Sequence, residues 1–321
     1  MGLRGYITKR IAYSVFLVLF VLTLNFIIFA VMPARPEDFL VGSAAGRSKV
    51  VYEIQKKAWG LDKPLYVRYV QYLQNMLTLQ FGQSGPKHGS VPVVDLIMYR
   101  LGYTLLMLGT STIMSLLIGV IFGVVAAYKR GGIFDTASMA TSLAIYALPV
   151  FWLGMIFMVL FMRGGYMANI FGIYFEAGRP FSENLPPPIS VNLLGTAISI
   201  PTTQEVVDRL WHLFPPAFIL TIFQFGGYLL LTRATMLETL TEDYIVTARA
   251  KGVTERAIIF KHALKNASLP IITNAAMSFG FIMSGAVITE TIFSWPGLGT
   301  LIFESMGDKL DPAVLHTTFF I

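Results

Sequence analysis

Five stretches of the chain contain no Asp, Glu, Lys or Arg: residues 11–32, 104–128, 136–162, 216–232 and 271–289. A helix needs about 20 apolar residues to cross the hydrocarbon of a bilayer, so each stretch predicts a membrane span. The fourth is the shortest, and the residues before it extend it at the interface to 214–232. The fifth is taken to 291. A last apolar run, 313–321 (AVLHTTFFI), is too short to cross and reads as the first half of a sixth helix, so the sequence is expected to continue past Ile321. The expected fold is an all-α polytopic membrane protein with five complete helices and the start of a sixth. The first apolar run has 22 residues, more than the ~7–15 of a signal-peptide core, which favours an uncleaved anchor.

The polar segments carry patterns of their own. Within 33–103, Leu65, Tyr69, Tyr72, Leu73, Met76 and Leu77 recur at helical spacing and predict a short amphipathic helix over 64–79, with Pro64 in its first turn. The segment 163–213 contains Pro186-Pro187-Pro188 and reads as an irregular loop. Pro149 is expected to kink the third span. Gly119 and Gly123 form a GxxxG in the second span and, with Gly226, Gly227 and Gly280, allow close helix packing.

The stretch 243–270, DYIVTARAKGVTERAIIFKHALKNASLP, differs in kind. Acids and hydroxyls at Thr241, Glu242 and Asp243 suit a helix start, and the helix runs to Lys251. Gly252 can take positive φ and end it. Thr254 then caps a second helix over 255–266, and Pro270 opens the fifth span. Ala248, Ala250 and Gly252 stand beside Arg249 and Lys251. Small side chains permit close approach by another protein and the cations offer charged hydrogen bonds. A basic loop lying on lipid is the other reading of the same residues.

Composition fits this picture. The chain is 55% hydrophobic and 13% charged, against about 25% charged in a soluble domain. Its net charge of +6 then reflects loops that hold topology, not nucleic-acid binding. The pieces 1–10, 129–135 and 233–270 hold eleven Lys and Arg; 163–213 and 292–312 hold four. The N-terminus is therefore expected in the cytoplasm of a multi-pass plasma (inner) membrane protein. On that basis 33–103, 163–213 and 292–312 lie outside and 233–270 lies inside.

Several classes of chemistry are disfavoured. There is no cysteine, hence no disulfide, thiolate metal site or thiol nucleophile. No HExxH, GxSxG or paired Asp occurs, and the histidines (His88, His212, His262, His316) fall in four different segments. Without GxxxxGK[ST] the chain has no P-loop to cradle a nucleotide. No enzyme activity, catalytic residue, metal or bound cofactor is expected. Ion-coupled transport needs ionisable groups at membrane depth, and the five stretches have none. Polar uncharged residues remain, and Gln224, Ser278 and Ser284 are candidates for a solute path, or else for hydrogen bonds between helices. Such a chain builds a path or scaffold and draws its energy from another subunit.

TARAKG followed by KHALKNASLP resembles the EAA loop of ABC importer permeases, in the dipeptide/oligopeptide branch. Ala248 and Gly252 match the motif's alanine and glycine, and Leu269-Pro270 its closing pair. The motif's leading Glu is replaced, with Val246 or Thr247 near that place, and the gap from Gly252 to Pro270 is longer than in the maltose-type loop. KRIAYSVFLVLFVLTLNFIIFAVMP, GLDKPLYVRYVQYLQNMLTLQFGQS, RLGYTLLMLGTSTI, RLWHLFPPAFIL and ETIFSWPGLGTLIFE are similar to further segments of that branch, in order. The resemblance implies a type I ABC importer transmembrane domain, the B-type subunit. It implies that Thr247, Ala248, Arg249, Ala250, Lys251, Gly252, Val253 and Pro270 belong to a loop that couples to an ATPase. It also implies partners: a second, C-type permease chain, two ABC ATPase subunits that hold ATP and Mg, and an extracytoplasmic solute-binding protein. The solute would be a peptide, or else an oligosaccharide or a nickel complex.

Overall fold

The computed structural model describes residues 3–31, 63–172, 174–175, 189–193, 196–200, 202–282, 286–306 and 311–320. They form two compact units, one of Met1–Leu101 with Leu301–Ile321 and one of Gly102–Thr300. The helix α3, Val93–Tyr128, and the helix α12, Leu298–Ser305, contribute residues to both.

In the first unit α1 (Leu3–Val31) is exposed and apolar along most of its length, as a helix surrounded by lipid tails must be. Leu22 and Phe26 are buried against Tyr72 and Met76 of α2 (Leu65–Leu77). Thr23 and Tyr69 share a hydrogen bond of 2.7 Å. Pro64 is the N-cap of α2, one residue before its expected place. Leu65 and Leu77, counted above with the apolar side, are 57% and 58% exposed. They begin and end the helix, whereas the covered stripe runs from Tyr69 through Tyr72 to Met76. Asn25 donates to the His316 carbonyl at 3.0 Å and ties α1 to α13 (Pro312–Thr318), the short helix at the expected start of the sixth span.

In the second unit close packing follows the glycines. A Cβ at Gly119 would stand 2.5 Å from the Tyr228 Cβ, and one at Gly123 2.6 Å from the Thr232 Cβ. The weak GxxxG signal is thus the seam between α3 and α7 (Thr203–Thr239). Gly226 does the same for α4 (Ile133–Tyr146), with Ser142 as its neighbour. The remaining elements are α5 (Val150–Phe161), α6 (Tyr166–Phe171), an antiparallel hairpin of β1 (Ile189–Leu193) and β2 (Thr196–Ile200), and α8 (Asp243–Ala250). After them come α9 (Glu255–Ala257), a π-helical turn (Ile258–Ala263), α10 (Leu264–Ile282) and α11 (Val287–Ile292).

Several expectations are corrected. The third span is broken, not kinked: α4 and α5 meet at 96°. Pro149 is the N-cap of α5 in an extended conformation, and the residue before a proline is biased out of the helix. The fourth helix begins at Thr203, inside the expected loop 163–213, where Thr202 accepts a hydrogen bond from the Glu205 amide at 3.3 Å. That is the first half of a capping box. The helix then runs through Pro215 and Pro216, both buried, as membrane helices can when neighbours surround the freed carbonyls. The hairpin also lies in that loop and was not expected. Pro270 does not open a span; it lies inside α10, so the second helix of the polar stretch is continuous with the fifth. Three described helices are long and apolar enough to cross a membrane, or four if the bent pair α4–α5 is one span. The helices expected over 271–291 and beyond 313 are not among them.

Candidate functional site

The corner at 243–254 is built by one helix ending and the next beginning. Along α8 the residues Ile245 and Ala248, three apart and so on one face, are buried. They join a cluster with Met236 of α7, Val124 and Ala127 of α3, and Ile258, Ile259, Ala263 and Ala267. Burial of Ile245 alone is worth about 1.5–3 kcal/mol, so this cluster holds α8 in place.

The helix ends in a Schellman motif. Gly252 has φ +77° and its amide donates to the Arg249 carbonyl at 2.9 Å. The Val253 amide donates to the Ala248 carbonyl at 3.2 Å, and the Val253 side chain packs on the buried cluster. Arg249 Nε reaches Glu255 Oε1 at 2.9 Å across the turn. Asn266 donates to the Tyr244 hydroxyl at 2.8 Å and ties α10 to α8.

The corner therefore has two sides. Thr247, Arg249, Ala250, Lys251 and Gly252 are exposed, an uncluttered surface with two cations and backbone at its tip. Ala248 and Val253 point into the cluster, so these two support the corner and do not form its outer surface. Pro270 stands outside this corner, exposed in the interior of α10. Thr254 is the N-cap of α9 by position but makes no side-chain cap hydrogen bond.

The candidate path residues are placed between helices. The Tyr228 hydroxyl donates to Ser278 Oγ at 3.0 Å, joining α7 to α10. Gln224 receives a long hydrogen bond, 3.5 Å, from Thr112 of α3. Ser284 lies outside the described residues.

Three charged residues stand one residue outside a charge-free stretch, Asp135 and Arg233 in expected loops and Glu290 in the last turn of the expected fifth span; Asp135 and Glu290 are buried and Arg233 is half-buried. Glu290, in α11, is completely buried. Its Oε1 accepts from the Thr104 hydroxyl at 2.8 Å and its Oε2 from the Thr300 amide at 3.1 Å. Thr104 Oγ1 in turn accepts from the Leu298 amide at 2.8 Å. Asp135 and Arg233 form an ion pair between α4 and α7.

Comparison with known proteins adds the following. The family model "Binding-protein-dependent transport system inner membrane component" matches residues 119–321, and the N-terminal model "Binding-prot-dependent transport system membrane comp, N-term" matches 3–107. The chain is 35% identical over 320 residues to the oligopeptide transport system permease protein AppB of Bacillus subtilis (strain 168), covering 98% of this chain and 92% of that one. It is 32% identical to the di/tripeptide transport system permease protein DppB of Pseudomonas aeruginosa (strain UCBPP-PA14), covering 97% and 90%. Against the dipeptide transport system permease protein DppB of Escherichia coli (strain K12) the identity is 34% over 79% of this chain and 74% of that one. A solved chain of the MetNI methionine ABC transporter, in inward-facing conformations, is 19% identical, with TM-score 0.47 over 71% of this chain and 88% of that one.

Proposed function

Because the chain belongs to the family of binding-protein-dependent transport system inner membrane components, we propose that it is the membrane subunit of an ATP-driven peptide importer that couples to its ATPase through the exposed side of 247–252. In this reading it has a type I transmembrane domain with its N-terminus in the cytoplasm. It pairs with a second permease chain and receives solute from an extracytoplasmic binding protein. ATP and Mg are held by partner ATPase subunits. Peptides are favoured over oligosaccharides or nickel complexes because the relatives above are named for peptide, dipeptide or oligopeptide transport. The solute path is assigned to Gln224, Ser278 and Ser284, with Gln224 and Ser278 also serving the helix contacts described.

One observation carries the docking site: α8 buries Ile245 and Ala248 against its own unit while Thr247, Ala250 and Lys251 face away from it. A buried helix side fixes the position of the other side, and a Schellman corner with small residues lets a groove on a partner close over it. ATP binding to the ATPases then biases a two-state membrane element through that contact. The test is Ala250→Trp, a bulky change on the outer side. We expect the protein to remain folded in the membrane while ATPase co-purification and solute-stimulated ATP hydrolysis fall at least tenfold, the ~1.4 kcal/mol scale of one lost contact. Unchanged association together with unchanged stimulation would reject the docking site.

A further inference from the structure

The proposed function leaves the Asp135–Arg233 pair without a role, yet its geometry is specific. Arg233 Nε meets Asp135 Oδ1 at 2.5 Å and its Nη2 meets Oδ2 at 2.9 Å. This is a two-pronged arrangement that fixes direction as well as distance. Oδ2 also accepts from the Gly131 amide at 2.9 Å, in the turn before α4. The Asp135 side chain is 2% exposed and the Arg233 side chain 21%.

The pair closes one end of a seam. Seven residues away on each helix, Gly226 of α7 stands against Ser142 of α4, where an added Cβ would lie 3.1 Å from the Ser142 Cβ. Seven residues are about two helical turns, so α4 and α7 are held at two points on one antiparallel face. Three residues beyond Arg233, Met236 is fully buried in the cluster that seats Ile245 and Ala248 of α8. At its far end α4 leads into the 96° bend to α5. The outer corner, α7, α4 and the bend are thus linked in series by packed or ion-paired contacts.

We infer that the Asp135–Arg233 pair is a positioning clamp for transport: it makes α4 move with α7, so that a displacement of α8 reaches the bent α4–α5 element. This rests on the proposed coupling role of the corner. Rigid packed elements carry a displacement only where contacts hold them as one body, and helix pairs without such a fastening can slide by small shear steps. The clamp makes no contact with the exposed side of 247–252, so its loss separates ATP hydrolysis from movement of the path without removing the ATPase.

The experiment uses the complete transporter in liposomes, with its partner permease, ATPases and binding protein, and reads solute taken up per ATP hydrolysed. Asp135→Asn, Arg233→Gln, the double variant of these, and the exchanged pair Asp135→Arg with Arg233→Asp are compared. We expect each single change to lower solute per ATP about tenfold, within the 5–150-fold span of typical coupling energies. ATPase association and hydrolysis stimulated by the loaded binding protein should stay within about twofold. The double variant should be no worse than either single one, and the exchanged pair should recover part of the ratio, as for two residues acting as one unit. An unchanged ratio overturns the clamp. So does an exchanged pair no better than the singles, or a loss of assembled complex in every variant, which would make the pair a staple of the fold alone. Failure of the docking site is recognised separately, by Ala250→Trp keeping its ATPase while the clamp variants are judged only in complexes that contain it.

Discussion

Two polar corners of the second unit, at 243–254 and at 290–300, are built in opposite senses. The first turns Ile245 and Ala248 inward and leaves Arg249 and Lys251 in the open. The second turns the Glu290 carboxyl inward and gathers the Thr104 hydroxyl and the Thr300 amide around it. Trp295 of that corner is buried too, its ring N–H donating to the Tyr103 carbonyl at 3.0 Å. Polar residues in a membrane protein are costly at depth unless paired, so the inward corner has every reason to be rigid. The outward corner keeps its polar groups exposed, including the Arg249–Glu255 pair. The contrast separates polar groups that hold the fold from polar groups left at the surface.

The largest effect is expected from Glu290→Ala. It leaves the buried Thr104 hydroxyl, at about 1–3 kcal/mol, and the part-buried Thr300 amide without an acceptor, and opens a void besides. The expected result is a large loss of stability in a denaturant titration in mixed micelles. Glu290→Gln keeps one accepting oxygen and should lose less than half as much. A Glu290→Ala protein as stable as its parent would show that the inward corner is not held by its carboxyl group.

The glycines of the two corners provide the next test, because they serve different needs. Gly252 is needed for its backbone: φ is +77°, and an added Cβ would have open space around it. Gly299 is needed for room: an added Cβ would stand 2.5 Å from the Val287 Cα and 2.9 Å from Glu290 Oε2. Gly252→Ala should cost about 1–2 kcal/mol for the left-handed conformation, and Gly252→Asn less, since asparagine enters that region more readily. Gly299→Ala and Gly299→Asn should both cost more than Gly252→Ala, because the obstacle at 299 is backbone. Equal tolerance of Asn at both sites in the same titration would erase the distinction.

The sequence made the outward corner legible and the inward one not, for a physical reason. A helix that ends in Ala-Lys-Gly declares its capping locally, but not its buried side: Ala248 reads as one of the small outer residues, and only the cluster with Val124, Ala127 and Met236 turns it inward. Glu290, Asp135 and Arg233 are the residues that stop the charge-free stretches, and a charge at the end of an apolar run reads as the water boundary. Here each is drawn inward by a partner far away in sequence: Thr104 for Glu290, and Asp135 and Arg233 for one another. The same locality explains the helix boundaries. The glycine seam of Gly119 and Gly123 is visible as spacing, and the start of α7 is marked locally by Thr202 and Glu205, a capping pattern. That Pro149 ends a helix while Pro215, Pro216 and Pro270 lie within helices depends on the surrounding packing, which no local pattern contains.

An intermediate case in the first unit gives the smallest expected effect. His88 is half-buried and shares a hydrogen bond of 3.2 Å with the fully buried Ser305. Beside it Gly85 donates to Asp311 at 2.6 Å, Lys87 reaches the Glu304 carbonyl, and Arg100 pairs with Glu304 at 3.1 Å. Burial pushes the His88 pKa below its usual 6.5, although Asp311 and Glu304 pull it up. With the folded value below the unfolded one, the unfolded chain takes the proton first as pH falls. Stability is then complete above pH 6.5 and declines as pH drops from there towards the folded value. His88→Gln cannot take that proton, so it should remove this part of the pH dependence while leaving stability near pH 8 little changed. The check is unfolding of parent and variant at pH 8 and at pH 5.5. A pH slope through this window identical in the two proteins would mean that His88 is solvated enough to count with the outward corner, and a slope of opposite sign would mean that Asp311 and Glu304 outweigh burial.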